Sequence, residues 1–293
     1  MKKFFLWFLA FVITISAAIY QRKTGPTYPK QQTVSVNGVN HELKLVRSLA
    51  LDEEPVVKLE LKDTTAKARI YFRRYLSKDE FQTSDFQFKS KPIHSFIMNM
   101  LFRVDKEEGF YATVPQQPAA GKIEYYFDIT DHSGTKTYLK ETPIVIRFKG
   151  GVPLSILLPH ILFMFIAMLF STLSGLLATF RIPSFREFGL LTFGSLLIGG
   201  MFLGPLVQLY AFGDLWTGVP FGWDLTDNKT LIAFLFWILA VVMNRRRDKP
   251  FYTVLAAVVL LLIYSIPHSM FGSQLDYNTG SVTQGMIMNF FLF

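Results

Sequence analysis

Cysteine is absent from the 293 residues. That removes disulfides, thiolate metal ligands and a cysteine nucleophile at once. An exported domain of this chain must hold together through its core alone, which a β domain of about 120 residues can do. Lysine and arginine are absent after Lys249, and the interiors of the C-terminal apolar blocks hold no Asp, Glu, Lys or Arg. Ion and proton pathways need intramembrane ionisable or polar groups, so this lack argues against a pump, a transporter or a cation channel. Standard catalytic motifs are missing too: there is no Gly-rich phosphate loop, no HExxH, no Gly-x-Ser-x-Gly and no paired His spacing for zinc. No enzyme class is indicated, and no acid/base pair supports chemistry on lipid.

Apolar residues are what the chain has in excess. They make up 51% of it, with 30 phenylalanines and a mean hydropathy of +0.30. An excess of this size must sit in long runs. The net charge is +8, but its placement matters more. Nine basic residues flank apolar runs, and the other 21 lie between Arg22 and Lys149 against 16 acids. That modest surplus is spread along strands and forms no cluster that tracks a phosphate backbone, so nucleic acid is not an expected partner.

Residues 4–20, FFLWFLAFVITISAAIY, follow Lys2 and Lys3. A basic start before a short apolar run reads as a transmembrane signal anchor, or as a signal peptide cut after Ala18. Residues 21–32 contain Gly25, Pro26 and Pro29 and read as a linker. From Thr33 the pattern changes to period two. Asn37-Gly38 between alternating runs signals a hairpin. Ala68, Ile70 and Phe72 alternate with Arg69, Tyr71 and Arg73, and Ile123, Tyr125, Phe127 and Ile129 alternate with polar neighbours and Tyr126. Such alternation buries one face and wets the other, as in an antiparallel sandwich of seven or eight strands. The last strand is interrupted by Pro143.

The stretch PAAGKIEYYFDITDHSGT sets Gly121-Lys122-x-x-Tyr125-Tyr126 before an Asp131-x-x-Gly134 turn. Here the chain resembles bacterial immunoglobulin-like or fibronectin-III-like modules, over about residues 33–148. The resemblance implies a β-sandwich, carries no active site and does not reach the membrane half.

Four apolar blocks follow, at 153–180, 188–212, 230–243 and 251–266, the last running on toward Phe271. Pro159 and Pro205 are the expected kinks. Arg181 and Arg186 lie between the first two blocks, and Arg245, Arg246, Arg247 and Lys249 between the last two. By the positive-inside rule these loops face the cytoplasm, and the β domain, the 213–229 loop and the tail face outward.

Four features are candidates for function. Small residues recur four apart (Ser171/Gly175, Ser174/Ala178, Ser195/Gly199, Gly200/Gly204) and predict close packing of the first two membrane helices, or packing against another subunit. Trp216, Phe221 and Trp223 in the outer loop suit a headgroup anchor or a partner interface. Asp214, Asp224 and Asp227 could supply oxygen ligands to a metal, although Asp227 is better placed as the N-cap of the third helix. His160 and His268 each follow a proline at similar outer-leaflet depth. Two imidazoles on facing helices could bind haem b or another transition metal, or each could bond a carbonyl freed by proline or reach toward the headgroups. His41, His94 and His132 read as surface or turn residues.

The sequence therefore predicts a bacterial inner-membrane (cytoplasmic membrane) protein: signal anchor or signal peptide 1–20, linker 21–32, periplasmic all-β immunoglobulin-like antiparallel sandwich 33–149, four-helix transmembrane bundle 150–271 and extracytoplasmic tail 272–293. The expected role is a non-enzymatic accessory or scaffolding subunit that contacts the lipid bilayer and presents the sandwich to a membrane-protein partner or extracytoplasmic ligand. The alternative is a membrane redox or metal-binding subunit using His160 and His268.

Overall fold

In a computed structural model the chain forms two compact units. Residues 1–92, 106–268, 270 and 272–283 are described. His94, Phe271 and the tail from residue 284 lie outside them.

The helical unit comprises Met1–Pro26 and Gly151–Gln274, with Val282 and Thr283. Helix α1 spans Lys2–Thr24, four residues past the apolar run. Gln21, Arg22 and Lys23 are good helix formers, and the two cations suit the negative end of the helix dipole. The Thr24 hydroxyl donates to the Tyr20 carbonyl, and Gly25-Pro26 ends the helix. The linker is therefore shorter than expected, because β1 already begins at Lys30. Leu6, Ala10 and Thr14 of α1 are buried, and Trp7 meets Phe170 and Phe188 edge-on. This N-terminal helix is packed as a fifth member of the bundle.

Helix α2 spans Leu154–Thr179 and runs unbroken through Pro159. Its 26 residues reach about 39 Å, more than a hydrocarbon core of about 30 Å. The second block is split into α3 (Phe185–Leu196), a π-helical segment (Leu197–Leu203) and α4 (Gly204–Phe212). Pro205 has no N–H to return to the Met201 carbonyl, so the ladder widens in the turn before it. Helices α5 (Leu225–Met243) and α6 (Pro250–Ser265) complete the unit. Helix α6 stops short of Phe271 because Pro267 drives Ile266 into an extended conformation. Among the described residues four helices are long and apolar enough to cross a membrane (α1, α2, the split helix and α5), and α6 is a shorter apolar helix.

Helix α2 is the hub of this unit, packed on α1, α3, the π segment and α6. The small residues seat more helices than the pair expected from sequence. A side chain at Gly199 would strike Phe163 and Met164 of α2, whereas one at Gly200 would strike Thr230 of α5, and one at Gly175 would strike Ala257 of α6. Neighbouring positions on a helix point about 100° apart, so the two adjacent glycines admit two different partners.

The β unit comprises Thr27–Gly150 and Leu275–Ser281. Eleven strands lie among its described residues from Thr27 to Gly150: β1 Lys30–Val36, β2 Val39–Leu45, β3 Ser48–Ala50, β4 Val56–Leu59, β5 Lys67–Arg74, β6 Gln82–Asp85, β7 Gln87–Pro92, β8 Lys106–Thr113, β9 Lys122–Asp131, β10 Gly134–Tyr138 and β11 Ile144–Lys149. They form a β1-β2 hairpin, a β4-β8-β7 sheet and a β3-β11-β9-β5-β6 sheet in which β10 also pairs with β9. The hairpin turns at Asn37 (φ 50°) and Gly38 (φ 80°), where glycine tolerates the left-handed backbone. The Pro143 interruption separates β10 from β11. One pair departs from the antiparallel expectation: β3 runs parallel to β11. Alternating hydrophobicity reports which face is buried and carries no information on the direction of a neighbour.

The run from Gln82 to Pro92 pairs first with β5 and then with β8, so it passes from one sheet to the other. Buried Phe86 marks the change. The three sheets share one apolar cluster that includes Leu43, Leu59, Ile70, Ile123, Tyr125, Phe127 and Phe148. On β5 and β9 the inward residues are those the period-two pattern selects.

Candidate functional site

Polar side chains gather where the 213–224 loop meets the start of α5. The loop needs partners for its main-chain groups, and the first turn of a helix has free N–H groups to offer. Asp224 is the N-cap of α5, accepting from the N–H of Thr226 at 2.8 Å and of Asp227 at 3.2 Å. The sequence had favoured Asp227 for that task. Asp227 lies three residues further on, inside the helix, and its carboxylate accepts from the Thr217 N–H at 2.7 Å and the Thr217 hydroxyl at 3.1 Å. Gln208 of α4 donates to that same hydroxyl oxygen. The Asn228 side-chain carbonyl accepts from the Val219 N–H at 2.7 Å, and the Trp216 indole donates to the Val219 carbonyl at 3.1 Å. A chain of hydrogen bonds thus ties α4, the loop and α5 together, with the acid of Asp227 buried at its centre.

Lys229 completes this end of the unit. It lies in the second turn of α5, is 6% exposed, and donates from Nζ to the Ile266 carbonyl at 3.1 Å and the Pro267 carbonyl at 3.5 Å. Carbonyls at a helix C-terminus lack intrahelical partners and attract cations, which gives a buried lysine a defined task. The membrane helices therefore do carry an internal acid and an internal base. Lys229 is one of the nine basic residues that flank apolar runs, one position before the 230–243 block. The Asp224/Asp227 spacing, N-cap and third helical residue, was the signal that the helix begins at Leu225.

Asp214, Asp224 and Asp227 do not act together. Asp214 is exposed, Asp224 caps the helix and Asp227 holds Thr217. Among the described residues no group of three or more His, Asp or Glu is arranged to hold a metal ion. Phe221 and Trp223 are largely exposed, while Trp216 is half-buried and fastened to the loop backbone.

His160 lies on α2 and its Nδ1 is 2.9 Å from the Gly199 carbonyl oxygen. A carbonyl only accepts, so Nδ1 carries the hydrogen and, in the neutral ring, Nε2 carries the lone pair. That carbonyl belongs to the π segment ahead of Pro205, where it also accepts from the Gly204 N–H, and it is not one freed by the proline beside His160. His268 is exposed in the turn beyond α6. The Tyr264 hydroxyl donates to the Met164 carbonyl at 3.3 Å, so the helix carrying His160 and the helix leading to His268 lie side by side.

In the β unit the solvent face of the large sheet carries an aromatic and charged ladder. Tyr71 and Tyr126 stack with ring centroids 4.6 Å apart, and Phe81 meets Tyr126 edge-on. The Arg73 guanidinium lies 4.4 Å from the Phe81 centroid and pairs with Glu124. The Tyr71 hydroxyl donates to Asp128 at 3.0 Å. Tyr71, Phe81 and Arg73 remain half-exposed. His41 and His132 are peripheral to this ladder; His132 is exposed in the β9–β10 turn.

No protein-family model matches this chain, and no curated protein matches it.

Proposed function

We propose that this protein is a non-enzymatic accessory or scaffolding subunit of a bacterial cytoplasmic membrane, which holds an immunoglobulin-like β unit on the outer side and offers it to a partner. The observation that carries this reading is half-exposed Tyr71, Phe81 and Arg73, packed around buried Tyr126 on the otherwise polar face of the large sheet. Aromatic residues and arginine are enriched in protein interfaces, where they bury large rigid surfaces.

The outward orientation draws support from two independent facts. Basic residues concentrate in the 181–187 and 244–250 loops, as expected of cytoplasmic loops. Residues 275–281, which follow α6, belong to the β unit, as an even number of spans after that unit would require. The chain passes between the units after α1, before α2 and again after α6.

The test is the size of the complex extracted from native membranes in mild detergent. A species larger than the single chain is expected, and it should shrink to the single chain in Tyr71→Ala/Phe81→Ala. A wild-type protein that migrates as a single chain, or a variant that keeps the larger species, rejects the reading. The sidedness is tested separately with Ser184→Cys and Asn278→Cys, the only thiols in each variant. An impermeant maleimide on intact spheroplasts should label Cys at 278 and spare Cys at 184; the reverse pattern inverts the topology.

A second reading, a redox or metal-binding subunit, is favoured by the His160 geometry. An imidazole whose Nδ1–H is held by a carbonyl presents Nε2 in the form that ligates haem iron or another transition metal. His268 would be the second ligand, from the turn beyond α6, the helix that packs beside α2. A visible absorption band in the protein purified from native membranes, lost in His160→Ala, is the expected result, and its absence removes this reading.

A further inference from the structure

A cavity of about 400 Å³ opens at the opposite end of the helical unit, between the start of α3, the end of α5 and the start of α6. Its volume falls within the roughly 300–1,000 Å³ of small-molecule sites. The lining changes character along its length. Leu190, Trp237 and Val241 supply apolar wall, and Arg186 and Arg245, the more exposed charged residues, supply a polar mouth. The two arginines differ in their commitments. Arg186 pairs with Asp248 at 2.9 Å and donates to the Asn244 carbonyl. Asn244 in turn accepts from the Lys249 N–H at 2.7 Å and donates to Thr253 at 3.2 Å. This rim is a built structure. Arg245 is exposed and forms no ion pair among the described residues. Deeper in, the Trp237 side chain is fully buried, yet its indole N–H has no acceptor among the described residues. Buried donors are ordinarily paired, so an unpaired one in a cavity wall leaves room for a ligand acceptor.

We propose that this groove binds one anionic phospholipid of the cytoplasmic leaflet, with the phosphate between Arg245 and Arg186 and an acyl chain along Leu190, Trp237 and Val241. A guanidinium without a counter-ion at the mouth selects a phosphate bearing net negative charge over a zwitterionic headgroup. An apolar slot continuing from that mouth into the span accepts a chain that a free phosphate lacks. The adjoining Arg246, Arg247 and Lys249 raise the local positive potential, as in other basic sites at the cytoplasmic face. The inference rests on the membrane-spanning reading above.

The test is native mass spectrometry of the full chain in an uncharged detergent with equal amounts of phosphatidylglycerol and phosphatidylcholine. One phosphatidylglycerol per chain should be retained in preference to phosphatidylcholine. Arg245→Gln should lower that retention about fivefold, the typical weight of one basic residue near an anionic lipid surface. Arg247→Gln lies off the cavity and should leave it unchanged. Val241→Trp fills the groove with every charge in place and should abolish retention. Equal retention of the two lipids, equal losses in the two arginine variants, or wild-type retention in Val241→Trp each overturn the proposal. A chain that stays soluble and monodisperse without detergent would instead reject the membrane-spanning reading itself.

Discussion

Tyr277 holds Lys122 by both of its main-chain groups. The phenol oxygen accepts from the Lys122 N–H at 2.9 Å and donates to the Lys122 carbonyl at 2.8 Å. A side chain thereby imitates a neighbouring strand at the start of β9, 155 residues away in sequence. Arg74 lies over the Tyr277 ring, and the Leu275 N–H donates to the Ala120 carbonyl at 3.1 Å. Gly121 leaves the space: a side chain there would come within 3.2 Å of the Tyr277 oxygen.

Tyr277→Phe should release this clamp while keeping the ring. Both Lys122 main-chain groups lose a partner, for a cost of about 1–3 kcal/mol. The expected outcome is faster chymotrypsin cleavage within residues 272–281 of the folded protein. An unchanged cleavage rate would show that the tail is held by other contacts.

Tyr125→Asp should unfold the β unit. Tyr125 is fully buried in the core, where burial pushes its phenol pKa upward and its hydroxyl donates to the Val46 carbonyl at 3.3 Å. An aspartate there leaves a cavity and an unpaired charge, so the loss should exceed about 3 kcal/mol. Loss of the β-sheet circular-dichroism signal at room temperature, with the helical signal retained, is the readout. A wild-type melting profile would contradict the assignment of the core.

Lys122 makes stability depend on pH. Burial, with a smaller contribution from the charge of Arg147, lowers its pKa from 10.5 to about 8. The folded lysine therefore gives up its proton at about pH 8, while the unfolded one keeps it until about 10.5. Between those values the unfolded chain binds more protons, so stability rises with pH. Below pH 8 both forms are charged and this contribution is a constant penalty. Lys122→Met should remove the rise and raise the melting temperature at pH 7. Parallel melting curves of the two proteins from pH 7 to 10 would reject the burial argument.

Much of the architecture is legible in local patterns. The period-two alternation on β5 and β9 identifies inward Ile70, Phe72, Ile123, Tyr125 and Phe127, because successive strand residues point to opposite faces. Asn37-Gly38 specifies its hairpin because few residue pairs accept two consecutive left-handed conformations. Apolar block lengths mark the membrane helices, and Pro143 and Pro205 mark their own interruptions, since a proline acts on the main chain around it; Pro159 leaves α2 unbroken, and α6 ends before Pro267 where the apolar run suggested continuation toward Phe271.

The tertiary structure decided whatever depends on residues far apart in sequence. The parallel β3–β11 pair, the return of Tyr277 to Lys122 and the choice of Thr230 as the neighbour of Gly200 leave no periodic trace in any one segment. The burial of Lys229 belongs here too. Its place at the margin of an apolar block reads as a loop charge, and only the end of α6, with the Ile266 and Pro267 carbonyls turned to its Nζ, makes the interior of the helical unit a favourable place for an amine.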